Sequence, residues 1–75
     1  MSQQPKAQDV DITRLLRQHA IQPTSQRILI TRLVLERRTH LSAEDVHRLV
    51  NATDRRVSKA TVYNTLGLLT EKGVI

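Results

Sequence analysis

Two stretches of the chain carry the same helix-start device, and together they restrict what it can fold into. In "LSAEDV", Leu41 to Val46, and in "VSKATV", Val57 to Val62, a serine follows one apolar residue and precedes another by a helical turn. A serine so placed is an N-cap: its side-chain oxygen accepts a bond from a backbone N–H two or three residues on, and the flanking apolar pair closes as a hydrophobic staple. Asp45, three residues after Ser42, adds a weak capping-box partner. Helices therefore start at Ser42 and Ser58, and the polar "NATDRRV" between them reads as a turn.

Helical periodicity accounts for most of the remainder. Ile12, Leu15, Leu16 and His19 fall at i, i+3, i+4 and i+7, which predicts a short amphipathic helix from Asp11 to His19 behind a disordered polar tail over residues 1–10. Pro23 disfavours helix at Gln22 and Thr24 is a ready N-cap, so a second helix opens there and runs through "SQRILITRLVLERR". Its residues Ile28, Leu29, Ile30, Leu33, Val34 and Leu35 cover most of the circumference, as expected of a central, buried helix. The β-branched "ILITRLVL" also permits a strand; the length of the segment and its cap favour helix. The third helix turns Ala43, Val46, Leu49 and Val50 inward and leaves Glu44, Asp45 and Arg48 in solvent. The fourth runs to Lys72, with Gly73 as its left-handed C′ residue and Val74 and Ile75 as the first residues of a strand.

Composition narrows the partners. Seventy-five residues with 1% aromatic content allow one domain, 11–75, whose core is built from Leu, Ile, Val and Ala. Twelve Lys and Arg against seven Asp and Glu give a net charge of +5, which suits a polyanionic partner, a well-solvated surface being the plainer reading. There is no cysteine, hence no disulfide, thiol nucleophile or thiolate metal site in these residues. The opening "MSQQPKAQ" lacks the apolar core of a signal peptide, and no apolar run approaches the roughly 18 residues of a membrane span. The carboxylates sit at helix starts and exposed faces, and no nucleophile and base have a spacing that argues for an enzyme.

A helix, a turn and a second capped helix in a small basic domain is the outline of a helix-turn-helix unit, whose second helix enters the DNA major groove. On the fourth helix Val62, Leu66 and Leu69 make the inward stripe, with Thr65 beside it. The opposite face presents Ala60, Asn64, Gly67 and Glu71, flanked by Tyr63 and Lys72 on one side and by Thr61 and Leu68 on the other. Ala60 and Thr61 are short enough to let the backbone approach base edges and to meet a thymine methyl, while Asn64 can bond adenine in a bidentate way. Lys59, on the helix N-terminus behind the Ser58 cap, and Arg55 and Arg56 in the turn suit phosphate contact. Tyr63, the one aromatic residue of the chain, can pack on a sugar or thymine methyl and reach a phosphate, or can lean its ring on the core edge.

The strings "PTSQR", "HLSAED" and "SKATVYNTLGLLTEKGVI", of which "ATVYNTL" is the specific part, resemble the DNA-binding domain of the ferric uptake regulator family over Leu15 to Ile75. The resemblance implies a winged helix-turn-helix of four helices, mostly α, with the wing strands largely cut off after Ile75 and a C-terminal dimerisation and metal-binding domain absent. It implies a metal-responsive transcriptional repressor of the bacterial cytoplasm that reads double-stranded DNA, an A·T-rich palindrome, as a homodimer. This piece is then expected as a monomer without cofactor, and the full-length protein as binding Zn, Fe or Mn. By position, Ala60, Thr61 and Tyr63 become base or sugar-phosphate contacts, and Arg27 the arginine that holds the DNA backbone. His40 aligns with a histidine that in many members ligates the regulatory metal, although one imidazole is not a site. Two departures bear on specificity: Asn64 stands where many iron regulators have arginine, and Gln22 where some members have a lysine that enters the minor groove. The competing function is a winged-helix module whose basic face binds an acidic protein partner.

Overall fold

The computed structural model describes residues 7–37, 41–53 and 56–75, and in it the second helix forms the hub. The helices are α1 (Ala7–Gln18), α2 (Ser25–Glu36), α3 (Ala43–Thr53) and α4 (Lys59–Glu71). α2 packs against each of the other three, and α4 packs against both α2 and α3. Among the described residues there is no strand, and no helix is long and apolar enough to cross a membrane.

All three capping signals operate. The Thr24 hydroxyl accepts from the Arg27 amide at 3.2 Å, and the Ser58 hydroxyl accepts from the Thr61 amide at 3.1 Å. Ser42 and Asp45 form the reciprocal box: the Asp45 amide donates to Ser42 Oγ at 3.0 Å and the Ser42 amide donates to Asp45 Oδ2 at 3.1 Å. Those Ser42 bonds, the backbone one first, and the nearby Arg48 guanidinium hold the Asp45 carboxyl below its ordinary pKa. A carboxylate whose folded pKa is depressed stabilises fully above its unfolded pKa and loses that contribution as pH falls through the folded one. Asp45→Asn is therefore expected to melt below the native chain at pH 7. The difference should close as acid titration passes below about pH 4, which thermal melts across pH will register.

Two apolar clusters make up the core. Ile30, Val46, Val50, Val57 and Val62 form one, and Ile12, Leu16, Ile21 and Leu69 the other. Leu66 packs against both, so α4 is anchored near its start by Val62 and near its end by Leu69. Sequence periodicity located most of these residues. It did not find Thr31, which is fully buried in α2 with its hydroxyl donating to the Arg27 carbonyl at 2.7 Å, while Leu35 remains 46% exposed. A buried hydroxyl that bonds the preceding turn satisfies itself and so passes as core.

Three boundaries differ from expectation. α1 begins at Ala7 rather than Asp11, so residues 7–10 are helical and not tail. Asp9 suits the positive end of the helix and pairs with Arg32 at 3.0 Å, and Gln8 donates to Glu36 at 2.9 Å; these bonds across to α2 extend the helix backwards. α2 ends at Glu36, with Arg37 extended. At the other end Val74 and Ile75 do not start a strand: both amides donate back to the Leu69 carbonyl, at 2.8 and 3.3 Å. With Gly73 at φ 81 and its amide on the Thr70 carbonyl, this is a Schellman stop, and Val74 packs on the cluster that holds Leu69.

The same stop closes α1, but there the left-handed residue is Ala20, at φ 59. The Ile21 amide donates to the Leu16 carbonyl at 2.9 Å and the two side chains share a cluster, which holds Ala20 in a conformation that suits glycine. The left-handed region costs an L-residue roughly 1–2 kcal/mol, part of which glycine would give back as added freedom in the unfolded chain. Ala20→Gly is thus expected to raise stability by about 0.5–1 kcal/mol and the Tm by about 4 °C, measured by thermal melting.

Candidate nucleic-acid interface

The N-terminal halves of α2 and α4 converge on one open groove, lined by Gln22, Thr24, Gln26 and Arg27 on one side and by Ala60, Thr61, Asn64 and Thr65 on the other. The floor is small because Ala60 contributes only a methyl and Thr65 is buried. Ala60 and Asn64 are exposed and Thr61 is half-buried. Along the rim, Arg27 is fixed at both ends: its amide by the Thr24 cap, its guanidinium by an Nη1 bond to the Gln22 carbonyl at 3.1 Å. That bond uses one of five N–H donors and leaves the planar fork aimed by the loop it braces.

Charge placement separates these two helices from the others. α1 and α3 carry carboxylates in their first turns, Asp9 in one and Glu44 and Asp45 in the other, as the helix dipole favours. α2 and α4 carry none there, and instead place Arg27 and Lys59 at ends whose dipole is already positive. Each choice is locally unfavourable by roughly 0.3–1 kcal/mol. Both are understandable if an anion sits across the two helix starts, since then dipole, free N–H groups and side-chain cations add.

The individual predicted residues fall as follows. Tyr63 is 52% exposed, so its ring is not core, and it stands one turn beyond the exposed Lys59 on the outer face of α4. Ser58 is exposed, and its hydroxyl bonds the Thr61 amide and, at 3.0 Å, the Thr61 hydroxyl, so the two residues hold the helix start together. Arg56 is exposed in the turn before α4. Arg55 and the metal candidate His40 lie outside the described residues.

Sequence reasoning did not bring Gln26 and Thr24 to the site, because nothing local shows that the start of α2 packs beside the start of α4. The one available signal was Arg27 itself, a cation where a helix start prefers an acid.

The described residues do not fit a metal centre: among them no three His, Cys, Asp or Glu side chains gather in position to hold an ion. His19 Nδ1 donates to the Leu15 carbonyl at 2.8 Å, and His47 Nε2 accepts from Asn51 Nδ2 at 2.7 Å.

Comparison with known proteins adds an independent finding. A model of the ferric uptake regulator family matches residues 18–75. The ferric uptake regulation protein of Bacillus subtilis is 43% identical over 65 residues, covering 85% of this chain and 44% of that protein. The peroxide-responsive repressor PerR of Staphylococcus aureus is 32% identical over 60 residues, covering 80% of this chain and 40% of that protein. The chain thus spans less than half the length of these relatives. No solved structure matches it.

Proposed function

Because this chain belongs to the ferric uptake regulator family, we propose that its four helices are the sequence-reading part of a metal-responsive transcriptional repressor. α4 enters the major groove of double-stranded DNA with Ala60, Thr61, Tyr63 and Asn64 toward the bases, and Arg27, Arg55, Arg56, Ser58 and Lys59 hold the phosphates. The observation that carries this reading is the α2–α4 groove, where two helix starts free of carboxylates and armed with Arg27 and Lys59 meet a small, exposed helix face. The relatives are a regulation protein and a repressor, and binding rather than catalysis is what the site offers.

The finer proposal follows the family resemblance. The target is an A·T-rich palindrome, read by a homodimer in the bacterial cytoplasm, with Zn, Fe or Mn held by residues beyond the described ones, His40 among them. Arg27 and Asn64 frame the reading. A carboxamide matches the N6 and N7 edge of adenine, and a fixed guanidinium sets the register on the backbone without choosing a base.

Tyr63 tests the proposal through its exposed ring. With an A·T-rich duplex followed by fluorescence anisotropy, Tyr63→Phe should keep the fold and weaken binding only a few-fold, the loss of one polar contact. Tyr63→Ala should weaken it about ten-fold or more by removing the ring contact as well. Unchanged binding in both variants would reduce the ring to edge packing and contradict the reading.

A further inference from the structure

The outer face of α4 is bordered by a second groove, on the side away from Arg27. It is lined by Glu44, His47, Arg48, Asn51 and Ala52 of α3 and by Lys59 of α4. We infer that this groove is a second DNA-phosphate site, gripping the strand across the major groove from the one that Arg27 holds. The inference rests on the reading that α4 enters the major groove, and extends it to α3, which that reading leaves out of the contact.

Placement is the first argument. At about 100° per residue, Lys59 lies on one flank of α4 and Thr61 and Thr65 on the other, with Ala60, Tyr63 and Asn64 between them. The α2 groove takes Ala60, Thr61, Asn64 and Thr65, and the α3 groove takes Lys59, so the two grooves straddle the exposed strip. A helix seated in the major groove has a phosphate chain on either side, and the first helix of a helix-turn-helix pair crosses the backbone.

Chemistry is the second. Lys59 and Arg48 are both exposed, against one carboxylate, Glu44, among the described lining residues. Arg48 meets Asp45 only at 3.6 Å, with 77% of its side chain exposed, a pairing loose enough for a phosphate to displace. His47 supplies a ring N–H. Asn51 Nδ2 donates to its Nε2 at 2.7 Å, so the ring N–H is at Nδ1, which has no hydrogen-bond partner among the described residues. Asn51 holds that arrangement while its own Oδ1 stays buried without a partner among the described residues, an arrangement that costs stability and that orienting His47 accounts for.

The salt dependence of binding decides the matter, because each lost phosphate contact removes about 0.9 from the slope of log Kobs against log salt. The probe is an A·T-rich duplex and a G·C-rich duplex of equal length, titrated with the full 75-residue chain between about 50 and 200 mM salt. Arg48→Gln, at an exposed position where losing the loose Asp45 pairing costs little stability, is expected to reduce the slope by about 0.9 and weaken both duplexes alike. His47→Phe should weaken both about five-fold, the loss of one hydrogen bond to the phosphate chain. If Arg48→Gln keeps the native slope and affinity while Arg27→Gln loses about 0.9, the second site is wrong and the reading of α4 stands. If Arg27→Gln also leaves the slope untouched, or the native chain binds neither duplex, both fall together.

Discussion

An Arg27→Glu chain is expected to fold at least as well as the native one and to bind duplex DNA about 100-fold more weakly at 0.1 M salt. The two halves of this expectation come from one position. Arg27 is the third residue of α2, counted from the Thr24 cap, and among the described residues its side chain reaches only the Gln22 carbonyl. Glutamate there completes Thr-x-x-Glu, the capping box that Ser42 and Asp45 already form at the start of α3, and sets a negative charge on a positive helix end. Those gains of roughly 0.5–1 kcal/mol offset the lost bond to Gln22. At the groove the same change replaces a charge-assisted phosphate contact with a like charge, which costs about 3 kcal/mol of binding, or 100-fold. Thermal melting and anisotropy on the same sample separate the effects. A stable Arg27→Glu chain that binds DNA at native affinity would remove Arg27 from the interface, and one that binds an acidic protein less well but DNA equally would favour the competing module.

Leu69→Ala is expected to destabilise the domain by about 3–4 kcal/mol and to lower its Tm by roughly 15–20 °C. Leu69 is fully buried among Ile12, Leu16 and Ile21, and its carbonyl receives the Val74 and Ile75 amides that end α4. Truncation therefore opens a cavity where α1, the α1–α2 connection and the end of α4 meet. A domain of 75 residues holds only about 4–11 kcal/mol in total, so this single loss consumes a large share of it. DNA binding should fall with the folded fraction and recover on cooling, because Leu69 anchors the far end of the reader without lining either groove. Leu35→Ala, at a half-exposed position of α2, is the control and should cost under about 1 kcal/mol. Equal melting of the two variants would contradict the assignment of Leu69 to the core.

What was legible in the sequence was whatever depends on neighbours within a turn or two. Ser42, Ser58 and Thr24 announced their helices because a cap, its acceptor and its staple lie within six residues, and Gly73 announced the end of α4 for the same reason. Val62, Leu66 and Leu69 lay on one stripe because helical spacing fixes which residues share a face. The left-handed turn at Ala20 was hidden because alanine does not advertise it; only the Leu16–Ile21 pairing imposes it. The early start of α1 was hidden because the bonds from Gln8 and Asp9 run to α2, far along the chain. At the site, the outer face of α4 could be written down from a helical wheel, and Arg27 came from resemblance. That Gln22, Gln26 and Arg27 share a groove with Ala60 and Asn64, and that His47, Asn51 and Lys59 share another, depends on how α2, α3 and α4 pack. No local pattern encodes that packing.

The central claim is that α4 and the residues flanking its start meet DNA, and backbone amide shift mapping by NMR tests it most directly. Titrating an A·T-rich duplex into the 15N-labelled chain should move the amides of Ala60, Thr61, Tyr63 and Asn64 most, with Arg27 on one flank and Lys59 and Asn51 on the other. The amides around Val10 and Arg14 on the outer side of α1 should stay in place. Shifts confined to the exposed Arg14 and Arg17 face of α1, with Thr61 and Tyr63 unmoved, would contradict the account.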